Sequence, residues 1–118
     1  MKFVLLYITT AHRAEARRLG QTLLRERLVA CVNLLGPVES HYWWQGQLEN
    51  SREWLLLAKT RATLAAAVIK RVKALHSYTT PCVVTLPLAK GNPAFLTWLA
   101  AETRPPVSRA ARRAVRSG

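Results

Sequence analysis

Residues 41–60 read HYWWQGQLENSREWLLLAKT. This stretch contains three of the four tryptophans of the chain, Trp43, Trp44 and Trp54. Apolar runs stand on either side of a polar segment, which predicts two strands joined by a turn at Asn50 and Ser51. Successive side chains of a strand point to opposite faces, so the two adjacent tryptophans lie on different faces. The sequence therefore predicts a long β-hairpin that is apolar on both faces.

A turn at that position fixes which residues of the hairpin pair. Trp44 is expected opposite Leu57, Trp43 opposite Ala58, and Tyr42 opposite Lys59. One face would carry Tyr42, Trp44, Leu55, Leu57 and Lys59, and the other Trp43, Trp54, Leu56 and Ala58. Two helices can cover only one face of an antiparallel sheet. We therefore expect the second face to pack on another copy of the chain, with a small-molecule pocket against one ring as the alternative.

The rest of the chain alternates between strand and helix patterns. Strands are predicted at 2–9, at 29–44 with an interruption at Gly36-Pro37, at 54–60 and at 82–88. Helices are predicted at about 11–28, with Thr10 as cap, at about 62–76, and from Asn92 and Pro93 onward. The order β-α-β-β-α-β predicts an α+β, ferredoxin-like fold. Its antiparallel sheet carries two helices on one face, with an extra helix at the C-terminal end.

Composition and charge restrict the class of protein. A chain of 118 residues that is half hydrophobic fits one domain, predicted at 1–103, and no apolar run approaches the length of a membrane helix. Two cysteines imply no disulfide framework, so we expect a cytoplasmic protein with no membrane partner. The net charge is +12, and residues 104–118 hold five arginines and no acid. That basic tail is expected to be flexible and to bind anions without specificity.

Chemistry-bearing residues form no strong motif. The three histidines lie far apart in sequence, and the six acidic residues, all Glu, are scattered. His76 and Cys82 together would suit a soft metal ion, but a helix-end histidine and a core cysteine explain the two residues better. No nucleophile motif or glycine-rich phosphate loop occurs in the sequence. We therefore predict a protein that is not an enzyme.

Five segments together resemble a known family. They are LVACVNLL (28–35), SHYWWQGQLE (40–49), LLLAKTR (55–61), LHSYTTP (75–81) and GNPAFLTWL (91–99). In this order and spacing they resemble the motifs of the CutA divalent-cation-tolerance proteins, over about residues 3–101. The resemblance implies a ferredoxin-like, PII-like homotrimer whose long hairpins pair across subunits. It also implies a link to copper tolerance, metal binding in some members, and no established enzymatic reaction.

The same resemblance implies a ligand site between subunits. Its residues would be Trp44, Lys59, His76, Tyr78 and Trp98. No cofactor is implied as obligatory, and copper or another divalent cation is the ligand to consider, with His76 and Cys82 as its ligands. The chain departs from the family at Ile8 and Leu75, where some members have metal ligands, and at Cys82, where an acidic residue is usual.

Two other functions stay open on the sequence. A PII-like sensor of an anionic metabolite would use Lys59, which shares a predicted face with Tyr42 and Trp44. A nucleic-acid-binding module would fit the basic charge and the βαββαβ order. However, neither WLLLAKT nor FVLLYIT supplies the aromatic motif of an RNA-recognition sheet. No specific nucleic-acid partner is therefore expected.

Overall fold

A computed structural model of the chain describes residues 1–104. Its elements are β1 (Phe3–Thr10), α1 (Arg13–Arg25), β2 (Cys31–Trp44), β3 (Gln47–Arg61), α2 (Ala65–Leu75), β4 (Val83–Leu88) and α3 (Pro93–Ala101). A short 3-10 turn, Ala62–Leu64, leads into α2. This order confirms the predicted α+β, ferredoxin-like fold. The predicted basic tail lies, from residue 105 on, outside the described residues.

The four strands form one antiparallel sheet in the order β2-β3-β1-β4. Ile8 of β1 pairs with Leu56 of β3, and Leu6 pairs with Ala58, and all four side chains are fully buried. The helices α1 and α2 cover this face with buried residues that recur at helical spacing, namely Ala16, Leu19, Leu23, Val68 and Val72. One layer of helices on one face of the sheet therefore encloses the core.

The hairpin turn does not lie at the predicted position. β2 and β3 are joined at Gln45 and Gly46, which both have positive φ, and Trp44 pairs with Gln47. Trp43 consequently pairs with Leu48 rather than with Ala58, and Tyr42 pairs with Glu49 rather than with Lys59. The polar residues around Asn50 are typical of a turn, but here they belong to β3. They lie in strand because the end of the hairpin is exposed to solvent on both faces, so nothing there requires apolar residues.

The bend predicted at Gly36-Pro37 is present. The β2–β3 register shifts between Leu35 and Val38, as expected for a bulge around these two residues. Gly36 lies directly against the indole ring of Trp54, where a Cβ atom at this position would come within 2.6 Å of the ring. The absence of a side chain at Gly36 therefore leaves room for the Trp54 ring of β3 to pack against the backbone of β2.

The second face of the sheet is not covered by α1 or α2. We call it the open face, and its apolar residues are Leu5, Tyr7, Leu35, Leu55, Leu57, Val84 and Leu86. Leu35, Val84 and Leu86 are each about half exposed. Tyr42 and Trp44 fall on the same side by the alternation of β2 and β3. The predicted grouping of residues into two apolar faces therefore holds, although the pairing between the strands does not.

The helix ends follow the sequence only in part. Oδ1 of Asn92 accepts a hydrogen bond from the N–H of Ala94, which confirms the predicted cap of α3. The predicted cap at Thr10 is wrong, because α1 begins after His12 and the Thr10 hydroxyl bonds to main-chain carbonyls instead. Among residues 1–104, no helix is long and apolar enough to cross a membrane.

Candidate functional site

A cavity of about 780 Å³ opens between the hairpin and the segment that joins α2 to β4. We call it the hairpin cavity. The residues that line it include three glutamates and three aromatic residues, namely Glu39, Glu49, Glu53, Tyr42, Trp44 and Tyr78. It forms because β2 and β3 continue well beyond the part of the sheet that the helices cover. The loop after α2 closes its side.

The lining of the hairpin cavity is negatively charged. It includes three of the six acidic residues of a chain whose net charge is +12. Among residues 1–104, no lysine or arginine lines it. Two basic groups lie close to Glu39: Nε2 of His41 is 2.9 Å from Oε2 of Glu39, and Arg52 pairs with Glu39 across the two strands. The cavity is therefore suited to a cation rather than to an anion.

Glu53 and Tyr78 form the buried part of the cavity wall. The Tyr78 hydroxyl donates a hydrogen bond to Oε2 of Glu53 at 2.9 Å, and Glu53 is only 7% exposed. Burial raises the pKa of Tyr78 well above its ordinary value, and the hydrogen bond and charge of Glu53 raise it further. Tyr78 is consequently a neutral donor at physiological pH. It fixes the orientation of the Glu53 carboxylate.

His76 lies behind Tyr78 and is held by the main chain. Its Nε2 donates to the carbonyl oxygen of Thr9 at 2.7 Å, and its Nδ1 accepts from the N–H of Tyr78 at 3.0 Å. The ring is fully buried and packs against the Tyr78 ring, with 4.7 Å between centroids. Both ring nitrogens are therefore engaged, and the lone pair that a metal would need already accepts a hydrogen bond.

Glu15 holds the beginning of the loop between α2 and β4. Its carboxylate accepts hydrogen bonds from the N–H and the hydroxyl of Ser77, at 2.8 and 3.0 Å, and from the N–H of Ala11. Burial by itself would raise the pKa of Glu15, but these hydrogen bonds outweigh it and hold the pKa below its ordinary value. Glu15 therefore remains ionised and anchors the loop between α2 and β4 to the beginning of α1.

The five residues predicted for the ligand site do not meet within one chain. Trp44 and Tyr78 line the hairpin cavity, and His76 supports Tyr78. Lys59 lies elsewhere, with its Nζ 3.5 Å from Oδ1 of Asn33. Trp98 is on α3, where it packs against the Phe95 ring. The grouping of all five stays a prediction about the assembled protein.

The three glutamates of the cavity were not predicted from the sequence. With the turn placed at Asn50, Glu49 and Glu53 fall at the hairpin tip, where charged residues are ordinary. The Gln-Gly pair at 45–46 was the available signal, since glycine is favoured at the second position of a two-residue turn. A turn there puts Glu49 and Glu53 on the same face as Tyr42 and Trp44.

The hairpin cavity offers an incomplete set of metal ligands. His41, Cys82 and the three glutamates are all donor types, and all of them line it. Within the described part of the chain, however, no three His, Cys, Asp or Glu side chains come close enough to hold one ion. The pairing of His76 with Cys82 as metal ligands stays a prediction. The engaged nitrogens of His76 do not favour it.

Comparisons with known proteins agree with the fold. Residues 4–102 match the family model described as CutA1 divalent ion tolerance protein. The divalent-cation tolerance protein CutA of Archaeoglobus fulgidus is 43% identical over 94 residues, which cover 80% of this chain and 91% of that protein. The chloroplastic protein CutA 1 of Oryza sativa is 40% identical over 101 residues, 86% of this chain but only 57% of that longer protein.

Solved structures of related proteins have the same architecture. The crystal structure of CutA1 from Oryza sativa superposes with a TM-score of 0.86 at 38% identity, covering 88% of this chain and 95% of that one. CutA1 from Thermus thermophilus gives a TM-score of 0.83 at 43% identity, covering 88% of this chain and all of that one. Sequence and structure thus agree over nearly all the described residues, and the chain belongs to the CutA1 divalent ion tolerance protein family.

Proposed function

We propose that this protein contributes to divalent-cation tolerance, without being an enzyme, by binding a cation in the hairpin cavity of a homotrimer. One observation carries the proposal, namely the concentration of Glu39, Glu49 and Glu53 in one cavity of a strongly basic chain. Three glutamates attract positive charge where no lysine or arginine is among the described lining residues. The relatives are named divalent-cation tolerance proteins, and for this reason we propose a divalent cation as the ligand.

The cation site would be completed by a neighbouring subunit. One chain supplies His41, Cys82 and the glutamates, but within residues 1–104 no three of them converge on one point. A copper or other divalent ion usually takes three or four protein ligands. Because Tyr42 and Trp44 share a side of the sheet with the open face, a subunit packed on that face would border the cavity.

The open face supports assembly. It is a continuous apolar surface across all four strands, with Leu35, Val84 and Leu86 each about half exposed. Monomeric soluble proteins rarely leave so large an apolar patch in contact with water. We propose three subunits because the resemblance to the CutA family implies a homotrimer.

The charge of the cavity weighs against the sensor of an anionic metabolite. Lys59, the residue that would bind such an anion, lies beside Asn33 and not among the residues that line the cavity. An anion placed between Glu49 and Glu53 would be repelled by both. We also propose the cytoplasm as the location of this protein, although the Archaeoglobus fulgidus relative is described as periplasmic.

Calorimetric titration of the purified protein with Cu²⁺ and Zn²⁺ tests the proposal. We expect binding by the wild type, and a much weaker affinity in the exposed-site variants Glu39→Gln and Glu49→Gln. Glu102→Gln is the matched control, because Glu102 forms an ion pair with Arg27 away from the cavity. Equal affinity in all four proteins, or no binding by the wild type, would reject the hairpin cavity as the cation site.

A growth assay tests the biological role separately. The wild-type gene is expected to restore growth on copper to a host that lacks its own copy. The Glu39→Gln and Glu49→Gln genes are expected to restore less. Full restoration by both variants, at equal protein levels, would show that tolerance does not depend on this cavity.

A further inference from the structure

The exposed face of α1 carries a row of arginines. It is formed by Arg13, Arg17, Arg18 and Arg25, with Gln21 between them, and we call it the arginine stripe. These five side chains are exposed and line a shallow cavity of about 560 Å³. The stripe thus forms a second concave surface, separate from the hairpin cavity and opposite to it in charge.

Helical geometry gives the stripe a regular spacing. Arg13, Arg17, Gln21 and Arg25 follow one another at intervals of four residues, so each lies about 6 Å further along the helix axis. The row from Arg13 to Arg25 is therefore about 18 Å long. Arg18 widens it near the middle. A linear ligand with regularly placed negative groups matches this arrangement better than a compact anion does.

The positive charge of the stripe is not neutralised by the protein. All six acidic residues of the chain lie within the described residues, and each is engaged or placed elsewhere. Glu15 is buried against Ser77, Glu26 pairs with Arg71, and Glu102 pairs with Arg27. The other three line the hairpin cavity. No ion pair therefore has to break before the stripe binds an anion.

The two ends of the stripe are held in place by other contacts. The guanidinium of Arg13 lies 5.7 Å from the centroid of the Trp54 ring, and Nη2 of Arg25 donates to Oε1 of Gln21 at 3.3 Å. Arg17 and Arg18 form no ion pair or hydrogen bond through their side chains within residues 1–104. These two guanidinium groups are therefore free to contact phosphate, which they can grip with two parallel hydrogen bonds.

We propose that the arginine stripe binds the phosphate backbone of an extended polymer. Inorganic polyphosphate and single-stranded nucleic acid share this chemistry. The cavity is lined by arginines with Ala14 and Gln21, so it provides no aromatic ring on which a base could stack, and binding is independent of base sequence. The stripe lies on the helix side of the sheet. Assembly through the open face would leave it exposed, and the inference does not depend on the cation site.

Fluorescence anisotropy with labelled polyphosphate and labelled oligo-dT tests the proposal in the full chain. The double variant Arg17→Gln/Arg18→Gln removes two charges from exposed helix positions and retains good helix formers there. The matched control, Lys2→Gln/Lys90→Gln, removes two exposed charges outside α1. We expect the arginine variant to bind both polymers more weakly and to lower the magnitude of the salt-dependence slope by about 1.4 for the single strand.

The control is expected to retain the wild-type affinity and slope. An equal loss in both variants would show that only net charge matters and would overturn the proposal. So would tighter binding to vesicles of acidic phospholipid than to either polymer, or a strong preference for one base sequence. Comparing the two polymers at equal phosphate concentration identifies which source binds more tightly.

A second comparison separates the stripe from the basic tail. The variant Arg109→Gln/Arg112→Gln/Arg113→Gln/Arg116→Gln removes four of the five arginines of the tail in the full chain and leaves α1 unchanged. We expect it to retain the effect of Arg17 and Arg18 on affinity. If the tail variant abolishes binding while Arg17→Gln/Arg18→Gln leaves it intact, the stripe is not the binding surface.

Discussion

The hydroxyl of Tyr78 donates a hydrogen bond to Oε2 of Glu53 at 2.9 Å, and this contact joins the loop after α2 to the middle of β3. Glu53 is almost fully buried, so its carboxylate has lost contact with water. The hydrogen bond from Tyr78 replaces part of the hydration that burial removes. The contact therefore affects both the stability of the domain and the shape of the hairpin cavity.

Tyr78→Phe is expected to destabilise the domain. The substitution keeps the ring and removes the hydroxyl, so Oε2 of Glu53 loses its hydrogen-bond donor and the free energy of unfolding falls by about 1–3 kcal/mol. Urea unfolding followed by tryptophan fluorescence measures this change. Tyr42→Phe is the control, because the Tyr42 hydroxyl lies on the exposed hairpin, where its hydrogen bond to the Ser51 hydroxyl is open to water. Equal losses in both variants would contradict the role of the buried contact.

The same pair predicts a loss of stability in alkaline solution. Burial, followed by the hydrogen bond and charge of Glu53, raises the pKa of Tyr78 above its ordinary value of 10.0. The folded state therefore favours the neutral phenol. This contribution is complete below pH 10 and is lost as the pH rises through the folded-state pKa. The stability difference between wild type and Tyr78→Phe should shrink steadily above pH 10, and a constant difference would show that Tyr78 does not titrate as described.

Glu15→Gln is expected to weaken the domain near neutral pH and to flatten its acid unfolding. A glutamine places an N–H₂ group where Glu15 now accepts hydrogen bonds, with a cost of about 2 kcal/mol. The folded-state pKa of Glu15 is depressed. Its contribution is therefore present above the unfolded pKa and is lost as the pH falls through the folded value.

Unfolding free energies measured between pH 7 and pH 3 test this prediction. The difference between wild type and Glu15→Gln should narrow toward acid pH, whereas Glu102→Gln, at an exposed ion pair, should change stability little at any pH. A difference that is independent of pH would assign the effect to packing rather than to the charge of Glu15.

The sequence was sufficient to predict the elements that form the core. Leu19 and Leu23 of α1 and Val68 and Val72 of α2 recur at helical spacing, and the structure buries all four. The strand patterns likewise placed β1 and β4 to within about a residue. A helix or strand that is buried on one side has apolar residues at regular intervals in its sequence, so these parts of the fold could be predicted.

The hairpin register could not be predicted in the same way. Residues 47–53 lie in β3 beyond the helices, and their polar character is as typical of a turn as of an exposed strand. The shift in pairing is an even number of residues, so Tyr42 and Trp44 still share a face with Leu55 and Leu57, but the residue paired with Tyr42 is Glu49 instead of Lys59. The error moved the acidic residues away from the predicted site, and the cavity appeared only in the structure.

Alanine substitutions at the two glycines of the hairpin should both reduce stability, but for different physical reasons. At Gly46, φ is +79° and no atom lies within 4 Å of an added Cβ, so Gly46→Ala is expected to cost about 1 kcal/mol through the backbone alone. At Gly36 the added Cβ would come within 2.6 Å of the Trp54 ring. Gly36→Ala must displace that ring and is expected to cost about 1–3 kcal/mol.

Tryptophan fluorescence distinguishes the two effects. Gly36→Ala should shift the native emission spectrum, because it moves Trp54, whereas Gly46→Ala should alter stability alone. Gln45→Asn is the converse test, since it places asparagine, which tolerates positive φ better, before Gly46 and should stabilise the hairpin slightly. Destabilisation by Gln45→Asn would contradict the turn at 45–46.

Leu86→Glu should prevent assembly without preventing folding. Leu86 lies on the edge strand β4, where it pairs with Leu5 on the open face, and it is about half exposed in the single chain, so a glutamate there stays hydrated in a monomer. In a trimer packed through this face, each copy would bury an unpaired charge, at a cost of several kcal/mol. Light scattering should therefore report a mass near 13.2 kDa for the variant and about three times that for the wild type.

Ala74→Glu adds the same charge on the exposed side of α2 and should leave the trimer intact. A monomeric wild type, or a trimeric Leu86→Glu variant, would exclude the open face as the interface between subunits.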